Sequence, residues 1–320
     1  MNPYIYQSGE PTFNLRLKKV TGKWSSYLVD FPSAFQNGYW GSSIVIGEYF
    51  QPVRSSRAPL VVLLHGMGDH SVIPCKLLAR SLAGNGTACL ILYLFLHSRR
   101  LPEDMKQRYP VFTSEEWFQI YQTSVIEVRQ VIDWASGRTE IDGNKIAVAG
   151  ISFGGFISAI AMGIDERIGA GVFIVSAGNS EKISHMSQLS ALTKNYRRTE
   201  AEYQLLQQSY RQYLTEVAER GVDNVTPARD SFLTDPMTYA YSLRQRPLLM
   251  INARWDEAIS ADAALDFWRE CGRPDIMWLP ATHATIWLWY PLISRKIAGF
   301  FKASFGNEET SKTLSGGGER

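Results

Sequence analysis

Between residues 59 and 175, strand-sized apolar runs alternate with segments of helical period, and nothing else in the chain limits its fold as strongly. The run Leu60 to Leu64 is leucine- and valine-rich and bounded by Pro59 and Gly66. A strand apolar on both sides must be covered on both faces, which is the situation of a parallel sheet between two layers of helices. The pattern continues with a helix over 74–83, ended by Gly84 and Gly86, and a strand over 87–94. A helix follows with Thr113 or Ser114 as its cap, Glu115 and Glu116 in its first turn, and Phe118, Tyr121, Val125, Val128 and Ile132 at helical spacing. Then come a strand over 145–149, a helix over 155–163 and a strand over 170–175. Alternation resumes with strands at 247–252 and 276–279 and helices at 261–270 and 284–302, and residues 43–50 read as one more extended segment. This ordering predicts an α/β fold with a mostly parallel sheet.

Two segments break the pattern. Residues 95–113 form a basic, proline-broken excursion, and 180–240 is polar and helical. In the latter, Tyr196, Tyr203, Leu206, Tyr210, Tyr213 and Val217 trace one face. That face is either the buried stripe of a surface helix or a lid whose tyrosines meet a substrate. The organisation expected is an N-terminal extension over 1–42, a core over 43–179 and 241–303, a helical insertion over 180–240, and a disordered polar tail over 304–320.

Composition narrows the function. The 320 residues are 45% hydrophobic, enough for a large core, and 33 basic against 31 acidic side chains leave a net charge of +2. With no long basic run, nucleic-acid binding has no support. The three cysteines are scattered, show no metal-ligand spacing and are odd in number, so a reducing compartment is the default. Neither a signal-peptide core nor an apolar run of membrane-spanning length is present. The expectation is a cytoplasmic protein with no integral membrane segment, no metal and no organic cofactor.

The chemistry centres on Gly150-Ile151-Ser152-Phe153-Gly154, which matches G-x-S-x-G between a strand and a glycine-rich helix. Such a turn holds the serine hydroxyl proud of the sheet, and small residues on either side keep the backbone from clashing. A serine hydroxyl needs a base and an acid to orient that base. Of the five histidines, only His185 and His283 follow Ser152. His185 opens the polar insertion, whereas His283 lies just past a strand, where ligands gather on such sheets. Asp256, just past the strand 247–252, is the best acid; Glu257 is adjacent, and Asp262, Asp266 and Asp275 stand in helix or further from a strand end. Oxyanion donors are expected from the N–H groups of Met67, in His65-Gly66-Met67-Gly68, and of Phe153. His65 in such a place usually makes structural hydrogen bonds. Asp69 and His70 are candidates for the pocket mouth.

The ordered set LLHGMGD, GISFGG, ARWD and ATH resembles the α/β-hydrolase superfamily, nearest to the dienelactone-hydrolase, acetyl-xylan-esterase and prolyl-oligopeptidase-like group. The resemblance covers about 59–300 apart from the insertion. It implies a central sheet of about eight strands with a helical cap inserted where 180–240 falls. It also implies Ser152 as nucleophile, Asp256 as acid, His283 as base and Met67 as first oxyanion donor. The chain departs from dienelactone hydrolases in carrying serine where they use cysteine. It departs from the usual glycine-rich acid loop in the bulky Trp255. HSRRLPEDM resembles a stretch of several bacterial members, and His97, Arg99 and Arg100 are candidates to hold an acidic substrate group; internal salt bridges are the alternative. The expected activity is hydrolysis of a carboxylic ester, with a small-molecule ester or acyl compound as partner and a homodimer as a further option. Peptide or amide cleavage, or a non-catalytic binding role of the same fold, are the alternatives.

Overall fold

The computed structural model describes residues 2–7, 12–35, 44–53, 55–67, 72–102, 112–189 and 198–314. Asp69, Gly68, His70 and Tyr196 lie outside the described residues, as do 315–320.

Nine strands form one sheet in the order β1-β2-β3-β5-β4-β6-β7-β8-β9. They are β1 (Asn14–Val20), β2 (Trp24–Pro32), β3 (Ile44–Pro52), β4 (Ala58–Leu64), β5 (Ala88–Leu92), β6 (Ile141–Ile151), β7 (Ile168–Ile174), β8 (Leu248–Ala253) and β9 (Asp275–Leu279). The last six run parallel. The first three are antiparallel to one another, and β3 is antiparallel to β5. The α/β architecture with a mostly parallel sheet, expected from the strand–helix alternation, is therefore present, with an antiparallel edge. That edge includes β1 and β2, which lie in the region read as a mere extension. β1 is charged and almost wholly exposed, and β2 buries only Ser26, Val29 and Phe31. Such half-exposed edge strands carry little apolar periodicity, and the lysines and arginine on β1 suit an unpaired edge.

Both faces of the parallel strands are covered, as their apolar runs require. Along β4, Leu60, Val62 and Leu64 enter one core, and Val61 and Leu63 enter the other. The first core packs under α2 (Ser114–Ser136) and α3 (Phe153–Ile164); the second packs under α1 (Ile73–Gly84) and the C-terminal helix. α2 begins as its sequence dictates, with a capping box between Thr113 and Glu116.

Beyond β7 come α4 (Ser180–Met186) and α5 (Glu200–Arg220). Tyr210 and Tyr213 of α5 are buried against Phe232, with ring centroids 4.5 and 5.3 Å away. They join the same apolar cluster as Met237 and Tyr239. Tyr203 stacks on His185 at 3.9 Å. Leu206, Tyr210, Tyr213 and Val217 of the stripe are thus packed in protein, and Tyr203 is half-buried. Buried Asp235 closes the two ends of the segment by accepting the N–H groups of Asn179 and Met237 at 2.8 and 2.9 Å. The chain ends with α6 (Ala261–Glu270), β9 and α7 (Tyr290–Leu314). α7 carries helix past residue 303, so the tail read as disordered from 304 is helical to Leu314. Among the described residues, no helix is long and apolar enough to cross a membrane.

Candidate active site

Chain order and sheet order disagree at one place, and the site sits there. β4 leads through α1 to β5 on one side; the chain then crosses to β6 on the other side of β4. In open sheets the crevice at such a reversal is open above the carboxyl ends of the strands. Leu64 of β4 pairs with Gly150 of β6, so Gly66 and Ser152, each two residues further on, emerge side by side. A methyl group on Gly66 would stand 3.5 Å from Ser152 Cβ.

Ser152 has φ 51° and ψ −118°, in the region a side chain rarely adopts, between the end of β6 and the first turn of α3. Its N–H bonds to the carbonyl of Ile174 at 2.8 Å and its carbonyl accepts the N–H of Gly155 at 2.8 Å, which hold the strained turn in place. The glycines beside it are required by close approach. A Cβ on Gly154 would collide with the main-chain carbonyl groups of Leu64 and His65, the latter at 2.6 Å. Gly154→Ala is therefore expected to push α3 away from β4, costing about 1–3 kcal/mol. Gly299→Ala, at an open position on α7, is the control and should be neutral to slightly stabilising. Thermal melts of the two variants, compared side by side, check this.

Three side chains from three strand ends meet. His283 Nε2 lies 3.0 Å from Ser152 Oγ. His283 Nδ1 lies 2.8 and 3.0 Å from the two oxygens of Asp256. Asp256 Oδ1 also accepts the N–H groups of Ala258 and Ile259 at 2.9 and 2.8 Å, so the carboxylate is held from behind. Its side chain is 4% exposed, against 22% for His283. The carboxylate fixes the proton on Nδ1, which leaves the Nε2 lone pair facing the serine hydroxyl. Trp255 leaves this loop intact: the residue is 64% exposed, and its main-chain N–H bonds to the carbonyl of Ala281 at 3.0 Å.

Glu257, which the sequence offers only as a neighbour of Asp256, makes a bond of its own. Its Oε2 accepts the main-chain N–H of His283 at 3.1 Å. Spacing along one strand end carries no signal for a bond to a neighbouring loop.

Of the two expected oxyanion donors, one adjoins Ser152 in the chain and the other adjoins Gly66. Phe153 opens α3, where first-turn N–H groups have no partner within the helix, and Met67 follows Gly66 on the neighbouring strand end. His65 is wholly buried; Nδ1 donates to the carbonyl of Gly66 at 2.9 Å and Nε2 accepts the N–H of Leu94 at 3.1 Å. It braces the loop that carries Met67. His185 pairs with Glu200 at 3.2 Å inside the insertion, remote from Asp256 in its bonding.

The basic segment resolves differently from its reading as a substrate clamp. Arg100 is buried and forms a two-pronged ion pair with Glu127 of α2 at 2.5 and 2.8 Å, and it also donates to the carbonyl of Tyr93. This corrects its candidacy for an acidic substrate group, because the internal carboxylate already takes both prongs. His97 is 1% exposed, with its ring stacked 4.8 Å from that of Phe153 and its Nδ1 donating to the carbonyl of Phe95, so it too supports the site from behind. Arg99 is the exposed member, with its guanidinium 5.7 Å from the Tyr93 ring centroid. Among the described residues, no group of three or more His, Cys, Asp or Glu is arranged to hold a metal ion. A groove of about 900 Å³ lies along the α1–α7 seam, toward Pro59 and Thr87 at the amino-terminal ends of β4 and β5. It is at the opposite edge of the sheet from Ser152 and has no part in this constellation.

Comparison with known proteins agrees with this architecture. Among solved structures, an acetyl xylan esterase from Paenibacillus sp. R4 superposes with a TM-score of 0.65 at 18% identity, covering 92% of this chain and 89% of that one. Acetyl xylan esterase 1 from Thermoanaerobacterium sp. JW/SL YS485 gives 0.62 at 12% identity, with coverage of 91% and 88%. A cold-adapted esterase from an Arctic intertidal metagenomic library gives 0.59 at 13% identity, with coverage of 90% and 98%. At such identities the likeness concerns the fold. Comparison with curated proteins finds no match. The family model described as alpha/beta hydrolase domain containing 18 matches residues 44–257, well over half of the chain. The chain belongs to the alpha/beta hydrolase domain containing 18 family.

Proposed function

We propose that this protein is a serine hydrolase acting on a carboxylic ester by acyl transfer. The reading rests on one observation, the unbroken hydrogen-bond chain from Ser152 Oγ through His283 to Asp256. Ser152 attacks the carbonyl carbon as His283 Nε2 takes the hydroxyl proton, and Asp256 stabilises the imidazolium that forms. The N–H groups of Met67 and Phe153 stabilise the oxyanion. His283 then gives its proton to the leaving alkoxide, and a water activated by the same nitrogen releases the acid and frees Ser152. The reading needs no cofactor. The three buried, free cysteines go with a reducing compartment such as the cytoplasm.

The test has two parts. A fluorophosphonate probe is expected to label the folded protein once, on Ser152. A panel of p-nitrophenyl esters of graded acyl length, run beside aminoacyl anilides, is expected to show ester turnover. Absence of labelling on folded protein would sink the reading, and anilide cleavage without ester cleavage would move it to amide bonds.

A further inference from the structure

The loops that carry Asp256 and His283 remain joined after their strands end. Strands β8 and β9 pair as far as Ala253 and Leu279. Beyond that, the N–H of Arg254 bonds to the carbonyl of Leu279 at 2.8 Å and the N–H of Trp255 to that of Ala281 at 3.0 Å. At the next step Asp256 turns its carboxylate to the His283 ring. Glu257 then supplies a side-chain acceptor for the His283 main-chain N–H. The carbonyl of Glu257 also accepts the N–H of Gln188 at 2.9 Å and the hydroxyl of Ser187 at 3.3 Å, both just past α4.

We propose that Glu257 is a positioning residue for His283, its carboxylate fixing the histidine main chain while its carbonyl docks the start of the insertion on the same loop. The inference rests on the hydrolase reading above, because it assigns Glu257 a task for the base of that reaction. Asp256 sets the tautomer and tilt of the ring, but it holds the ring by one nitrogen. The distance from Nε2 to Ser152 Oγ, 3.0 Å, also depends on where the Cα of His283 stands. A bond to the main chain of that same residue controls this. A carboxylate acceptor makes the bond a strong one. Misplacement of a reacting group by about 1 Å costs on the order of 10²-fold in rate. The division of labour accounts for two adjacent acidic residues facing one histidine: one bonds the ring and the other the backbone.

The full-length protein with three substitutions tests this. E257A removes the acceptor, E257D retracts it by one methylene with the charge kept, and E257Q keeps an acceptor at full reach without the charge. On p-nitrophenyl acetate, E257A and E257D are expected to lower kcat roughly 10- to 100-fold with KM within about threefold. E257Q is expected to recover to within about threefold of wild type, because an amide oxygen accepts the same N–H. Wild-type kcat in E257A, or E257Q as slow as E257A at equal melting temperature, would overturn the proposal. A second readout does not depend on turnover. The downfield proton resonance of the His283 Nδ1–H bonded to Asp256 is expected to shift or broaden in E257A and E257D and to return in E257Q. An unchanged resonance in E257A overturns the assignment. If wild type neither labels with fluorophosphonate nor turns over the panel, the hydrolase reading fails, and the resonance still decides whether Glu257 positions His283.

Discussion

Ser152→Ala is expected to lower ester turnover about 10⁶-fold and to abolish fluorophosphonate labelling, with the melting temperature unchanged within about 2 °C. The size of the effect follows from the chemistry. Without the hydroxyl there is no acyl-enzyme, and the rate left comes from binding and oxyanion stabilisation alone. The small effect on stability follows from the site. The serine side chain bonds to His283 Nε2, and the turn is held by main-chain bonds that alanine keeps. Alanine also tolerates the φ of 51° no worse than serine does. Ester turnover and probe labelling are read on the same preparation as the melt. Turnover within tenfold of wild type would mean that another group is the nucleophile.

Asp256→Asn is expected to lower kcat about 10⁴-fold while leaving the fold and KM nearly unchanged. The reason is the way the carboxylate is held. Two main-chain N–H groups, of Ala258 and Ile259, bond to Oδ1. An asparagine must satisfy these donors with its one carbonyl oxygen, so its amide nitrogen turns toward His283. That nitrogen is a donor, and it can be met only by an unprotonated Nδ1. The ring proton then moves to Nε2, where the base should be accepting the proton of Ser152. The substitution therefore reverses the tautomer without removing the hydrogen bond. Turnover of the best ester in the panel, with a melt as control, is the measurement. A loss below tenfold would show that the tautomer of His283 is not set by Asp256.

The sequence carried much of this arrangement because its parts are local. A G-x-S-x-G segment between a strand and a helix is a statement about one turn, and the turn appears with Ser152 at positive φ. Asp256 and His283 each follow an apolar run, and the parallel sheet collects the ends of such runs on one edge. The strand edge at β1 and β2 was not legible, since edge strands bury few side chains and leave no strong period. The charge pattern at 97–100 pointed outward in sequence. In the fold, Arg100 turns inward because Glu127 lies one helix away, a partner separated from it by 27 positions.

The sequence by itself determined which residues stand at the carboxyl ends of the parallel strands, because buried strands must be apolar and the loops after them need not be. Only the tertiary structure decided which of those loops touch. Register and strand order place Gly66 against Ser152, and they carry the main chain of His283 to Glu257. These contacts join residues far apart along the chain or on different loops, and they are set by how the whole sheet pairs. No local pattern encodes a distance of that kind.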